Sequence, residues 1–149
     1  IAVVSLPMCN LYLQDRVLGR TPRFRGVTLA HEMKARGIPV SFASDNTRDP
    51  FYAYGDLDMI EVFREATRIA HLDHADPDWS RAILSAPAAS AGFEAPSLAP
   101  GAPADLVICR ARTWNELLAR PQADRIVLRA GRAIDRTLPD YAELDGLMT

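Results

Sequence analysis

The chain has 149 residues, is 48% hydrophobic and 24% charged, and carries a formal net charge of -2, which suits one soluble globular domain of ordinary size. The near-neutral balance, with arginines scattered among acids, lacks the clustered basic face that a nucleic-acid partner requires. No apolar run approaches the roughly 20 residues that span a bilayer, and Cys9 and Cys109 belong to no CxxC pair, so a reduced, cytoplasmic protein without a membrane partner is expected.

Ile1 to Pro7 reads as a strand already under way, without a starting Met or a polar lead-in, as a strand buried on both faces would be. Residue 1 is therefore not expected to be the biological start. A polar loop follows from Asn10 to Gly26. Thr28 is placed to cap a helix from Leu29 to Arg36, and Gly37 to end it in the left-handed position after the C-cap. The segment Pro39 to Ser44 is the next strand. Strand, loop, helix and strand make a βαβ unit, whose two strands should be parallel and adjacent with the helix packed across them.

Residues 56 to 73 carry the longest helical pattern, with Leu57, Ile60, Phe63, Thr67 and Ala70 at helical spacing and Pro77 as its stop. A shorter helix is predicted from Asp78 to Leu84. Residues 85 to 103 collect Pro, Ala, Ser and Gly and read as a linker. Beyond them come a strand at Asp105 to Cys109, a short helix from Thr113 to Ala119 and a strand from Arg125 to Leu128. A tight turn at Ala130-Gly131-Arg132 leads into a return strand beginning at Ala133-Ile134. This tail is expected to form a small sheet separate from the first two strands.

Function in parallel sheets gathers at the carboxyl ends of the strands. Asp45 stands there, directly after the second strand, although an Asp in such a place also serves as a turn former or helix cap. The loop behind it carries Asn46, Arg48, Phe51, Tyr52 and Tyr54, side chains suited to a small ring but equally at home in a core. Among the histidines, His31 sits within a helix. His71 and His74, three apart near the end of the long helix, would share one face; a capping role at the helix C-terminus competes with a metal-ligating one. No HxH, HExxH, Walker loop, GxGxxG or GxSxG pattern occurs. The residues alone thus offer one candidate catalytic carboxylate and no complete site.

Three separated segments carry a resemblance. The stretch "FASDNTRDPFYAYGDLDM" with the long helix after it resembles the last barrel strand and loop of the cytosine deaminase branch of the amidohydrolase superfamily. Upstream, "LPMCNLYLQDR" resembles the preceding strand and loop, and "GAPADLVIC" with "IVLRAGRAI" is similar to the C-terminal segments where the superfamily leaves its barrel for a small β-sandwich. The resemblance implies an α/β fold: the C-terminal part of a metal-dependent-hydrolase (β/α)8 barrel, its last two strands, plus part of the sandwich. On that reading residues 1–84 hold two βα units and helices, 85–103 the linker and 104–149 the sandwich portion. A whole barrel takes about 250 residues, and the family's HxH pair, middle-strand histidines and glutamate acid have no counterpart here.

By the same resemblance Asp45 is a ligand of the catalytic divalent metal, zinc or iron, and a proton shuttle. Asn46 and Phe51 match positions beside the substrate ring. The implied reaction is hydrolytic deamination of cytosine or a similar small nitrogen heterocycle, in a protein for which homo-oligomerisation is left open. Hydrolysis of a triazine-type substituted amine or a cyclic amide is the alternative within the superfamily. A non-catalytic fragment serving as an interaction module is the alternative of another class.

Overall fold

A computed structural model describes residues 1–74 and 77–148, the side chains of His74 and Pro77 excepted. Its first sheet pairs β1 (Val3–Ser5) with β2 (Val40–Phe42), parallel as expected, in the register Val3 to Val40, Val4 to Ser41 and Ser5 to Phe42. All three β2 residues are buried.

Between the two strands the chain departs from expectation. The segment Pro7–Leu13 is a helix, α1, rather than strand end and loop. Pro7 starts it because a proline ring fixes a helical φ and the first turn has no use for the missing N–H. Met8 and Cys9 then turn inward. The second helix, α2, runs only over Ala30–Ala35, with no side chain capping its start. The Thr28 hydroxyl is instead 2.9 Å from Ser5 Oγ, which donates to it, tying the helix entry to the end of β1. Gly37 behaves as expected, with φ of 74°. Its N–H reaches Lys34 O at 2.9 Å while that of Ile38 reaches Met33 O at 3.0 Å, the paired bonds of a Schellman ending.

The long helix, α3, spans Met59–Ala70 and buries Val62, Phe63, Ala66 and Thr67. Asp58 caps it through Ile60 N. It stops before Pro77, because His71 adopts left-handed geometry with φ of 53° and returns its N–H to Thr67 O. Two 3₁₀ segments follow, Leu72–His74 and Pro77–Ile83, the second in place of the expected short α-helix. Trp79 from that segment joins Met8, Ala30, Val40, Phe42, Val62, Phe63, Ala66, Leu72 and Ala82 in the main core. Part of the predicted linker is also helical: α4 occupies Ser85–Ser90. Pro87 falls in its first turn, where no helical bond is forfeited.

The second sheet is antiparallel and separate from the first, in the order β3 (Leu106–Ile108), β4 (Ile126–Arg129), β5 (Arg132–Ala133). Between β3 and β4 lies α5 (Trp114–Ala119), capped by Thr113. Buried Gln122 closes its far end, donating to the carbonyls of Glu116, Leu117 and Arg120 at 3.0, 2.9 and 3.3 Å. Ala130 and Gly131, both at positive φ, form the two-residue turn that suits the twist of a hairpin. Asp105 Oδ1 accepts the Ala130 N–H at 2.7 Å. A short 3₁₀ segment, Tyr141–Leu147, is the last element among the described residues. An ion pair crosses from this half to the other: Arg125 Nη1 lies 2.7 Å from Asp58 Oδ2. No helix among the described residues is long and apolar enough to cross a membrane.

Candidate active site

Because β1 and β2 are parallel, the loops that leave them emerge at the same end. One carries α1 and residues 14 to 29; the other runs from Ala43 to Asp58. Their meeting point is the candidate site.

Asp45 lies three residues beyond Phe42, exposed, with φ of 63°. Left-handed geometry is costly for most side chains, and Asp is among the few that visit it. The turn lifts the carboxylate off the end of a fully buried strand. On its inner side lies the thiol of Cys9, which has no exposed surface and has the Asp45 carboxylate beside it. Burial pushes the Cys9 thiol above its ordinary pKa, and the adjoining Asp45 carboxylate adds to the rise.

The rest of the loop is knotted around Asp49. The Asn46 amide donates to Asp49 Oδ2, while Asp49 Oδ1 accepts the N–H groups of Phe51 at 2.9 Å and Tyr52 at 2.8 Å. These donors, the Asn46 amide foremost, hold the Asp49 carboxyl below the usual range. Arg48 pairs with Asp56 at 3.3 Å. Phe51 is 63% exposed. Tyr52 does not stand free as a ring platform. It packs against the core and meets Tyr12 of α1 edge-on, with centroids 5.2 Å apart. Tyr54 meets Tyr12 in the same manner at 5.8 Å. Gly55, at φ of 79°, backs this cluster so closely that a Cβ there would lie 2.8 Å from Tyr52 Cε1.

Across from it, Gln14 and Asp15 shape the other loop. Gln14 Oε1 accepts the Gly26 N–H at 2.6 Å. Asp15 Oδ2 accepts those of Arg23 at 2.6 Å and Phe24 at 3.1 Å, and Arg20 pairs with its other oxygen. The two backbone donors lead in holding the Asp15 carboxyl low.

Asp45, Asn46 and Phe51 thus share one loop. Asn46 already has its amide engaged within that loop. His31 is elsewhere: its Nε2 lies 2.8 Å from Ala70 O, and its ring meets Trp79 edge-on at 5.1 Å. His71 is exposed at a left-handed helix end, so helical spacing no longer puts it on one face with His74, whose side chain lies outside the described residues. Sequence reasoning overlooked Cys9, Tyr12 and Asp49. Taking Pro7 as a helix start would have put Cys9 and Tyr12, three apart, on one face.

A divalent metal asks more than this chain offers. Among the described residues no group of three His, Cys, Asp or Glu side chains could hold an ion. Asp45 by itself falls short of the three protein ligands usual at a catalytic centre.

Comparison with known proteins bears on this arrangement. A pterin deaminase of Rhizobium rhizogenes is 62% identical over 146 residues, covering 97% of this chain and 33% of the relative. The crystal structure of 5-methylcytosine deaminase from Klebsiella pneumoniae liganded with 5-fluorocytosine matches with a TM-score of 0.72 at 26% identity, over 95% of this chain and 35% of that one. The same enzyme liganded with phosphonocytosine matches at 0.72 and 25%, over 94% and 35%. The chain spans about a third of the length of these relatives. The family model for the amidohydrolases matches residues 1–135, and the chain accordingly belongs to the amidohydrolase family.

Proposed function

We propose that this chain supplies the last two βα units of a (β/α)8 barrel and part of the adjoining β-sandwich in a metal-dependent deaminase. The reaction would be hydrolytic removal of an amine from a small nitrogen heterocycle, with a pterin as fitting a substrate as a cytosine. Both rings carry an exocyclic amine on an electron-poor carbon beside a ring nitrogen. The observation that carries the reading is Asp45: an exposed carboxylate in left-handed geometry, just past a buried parallel strand, where such sheets hold their active groups.

In this reading Asp45 takes a proton from the attacking water and passes it to the departing amine, so that ammonia leaves. It also provides one ligand for a divalent ion, zinc or iron, the remaining ligands coming from outside these residues. Such an ion, when bound, lowers the pKa of water so that hydroxide forms near neutral pH. Phe51 flanks the ring. Asn46, its amide nitrogen committed to Asp49, offers the ring its carbonyl oxygen as an acceptor.

The shortage of ligands favours a second statement: the 149-residue chain alone turns nothing over. The test is a chimaera in which this chain replaces the matching third of the Rhizobium rhizogenes relative, assayed on pterin and cytosine beside the chain alone. The chimaera should release ammonia, and Asp45→Asn should lower its turnover by about 100- to 10,000-fold. Near-normal turnover in Asp45→Asn would overturn the reading.

A further inference from the structure

Only a few contacts hold the Asp45 loop in place. Between Ala43, whose N–H reaches Ser5 O at 3.0 Å, and the start of α3, its one backbone–backbone bond runs within the loop, from Asp49 N to Tyr52 O at 3.2 Å. Two residues in this span, Asp45 and Arg48, hold positive φ without being glycine. Neighbours must therefore determine the conformation. The Asp49 knot shapes the loop internally but does not attach it to anything. Attachment comes from the core, against which Tyr52 packs, from α3, whose Glu61 Oε2 accepts the Asp56 N–H at 3.2 Å, and from α1, through Cys9 beside Asp45 and Tyr12 against Tyr52 and Tyr54.

We infer that Tyr12 is a positioning residue: its ring, wedged against Tyr52 and Tyr54, seats the loop that presents Asp45. Cys9 and Tyr12 are three apart on α1, so they share a face, and one helix face meets the loop at both ends of its irregular course. The ring is not spare surface for a substrate. Two tyrosines occupy its surroundings edge-on, and the Arg16 guanidinium lies over the ring at 4.5 Å from the centroid. Edge-to-face pairs of this kind are directional, so they set where the loop sits as well as holding it there.

The positioning role rests on the deaminase reading, but the seating of the loop does not, and two measurements separate them. Amide exchange in the 149-residue chain reads the seating. Tyr12→Leu should speed exchange at Asp56, whose N–H ties the loop to Glu61 of α3, roughly tenfold or more, the ratio that two such ring pairs supply together. Exchange at Val62 to Ala66 should not change. Tyr12→Phe keeps the ring and should match the parent. Should Tyr12→Leu unfold the chain, Tyr54→Leu, at a site 66% exposed, removes one pair and should give the same pattern at smaller size.

Turnover in the chimaera reads the positioning. Tyr12→Leu should cut kcat by up to about 100-fold, the loss expected when a catalytic group shifts by about an ångström, with KM within about twofold. Unchanged exchange and kcat in Tyr12→Leu would overturn the inference. So would a raised KM at constant kcat, which would make the ring a substrate contact, or Tyr12→Phe proving as damaging as Tyr12→Leu. If Asp45→Asn also left kcat intact, the deaminase reading would fail while the exchange result still decided the seating.

Discussion

Asp58 uses both of its oxygens. Oδ1 accepts the Ile60 N–H at 2.9 Å, capping α3, and Oδ2 takes Arg125 Nη1 at 2.7 Å across a sequence separation of 67 residues. The side chains are 26% and 15% exposed, so the pair is drier than a surface ion pair worth about 0.2–1 kcal/mol. It approaches the about 1.5–3 kcal/mol of a hydrogen bond to a charged group. Asp58→Asn separates the two roles, because Asn caps helices about as well as Asp but has no charge for Arg125. It should cost roughly 1.5 kcal/mol. Asp58→Ala loses the cap as well, about 1 kcal/mol more. For a chain of this size each kcal/mol lowers Tm by about 2–4 °C. Thermal unfolding should therefore place Asp58→Asn about 3–6 °C and Asp58→Ala about 5–10 °C below the parent. In a double-mutant cycle with Arg125→Met the Asn substitution should be strongly sub-additive, with a coupling of about 1 kcal/mol. A parent-like Tm for Asp58→Asn, or strict additivity with Arg125→Met, would show that the pair does not join the halves energetically.

Gln122→Leu leaves the C-terminal carbonyls of α5 without their buried donor and should cost about 1–3 kcal/mol, read by urea unfolding. Asn46→Asp sets a second carboxylate against Asp49, so the chimaera should lose turnover on every ring tested rather than merely re-rank pterin and cytosine. Asp15 and Asp49 both have pKa values depressed in the folded chain. The stability they contribute is full above the ordinary carboxylate value of about 3.9 and is lost as pH falls through their lower folded values. Acid titration followed at the amides of Arg23, Phe24, Phe51 and Tyr52 should show both loops loosening in that range, and Asp49→Asn should remove the transition from the second loop only.

The parallel pair, the Gly37 ending and the separate hairpin sheet were legible in the sequence because each rests on local chemistry. Apolar runs, a glycine free to adopt positive φ, and an Ala-Gly turn are visible within a few residues. The place of Asp45 just past the second strand was legible in the same way. The misplaced elements turned on competition that a sequence window does not display. Pro7 ends an apolar run and equally begins a helix, and burial of Met8 and Cys9 decides for the helix. The end of α3 was assigned to Pro77, yet His71 takes a left-handed turn well before it. Thr28 has the side chain of a cap, but Ser5, 23 residues away, engages it first. Asn46, Asp49 and Tyr12 illustrate the same limit at the site, since their roles lie in partners that only the folded chain brings together.

Gly55 has a consequence for how variation in this chain should be interpreted. With a Cβ only 2.8 Å from Tyr52 Cε1, and the Tyr52 ring itself held between Tyr12 and the core, no larger residue fits without displacing the ring. Positive φ there adds a further penalty on any side chain. A substitution at 55 thus acts like a wedge driven beneath Tyr52 and disturbs the packing of Tyr12 and Tyr54 beside it. On the proposed role of Asp45, a screen of random variants of the deaminase chimaera scored only by activity would sort Gly55 with that residue. Its signature would differ from a pocket residue's in one respect: loss on all substrates in equal proportion, whatever ring each carries.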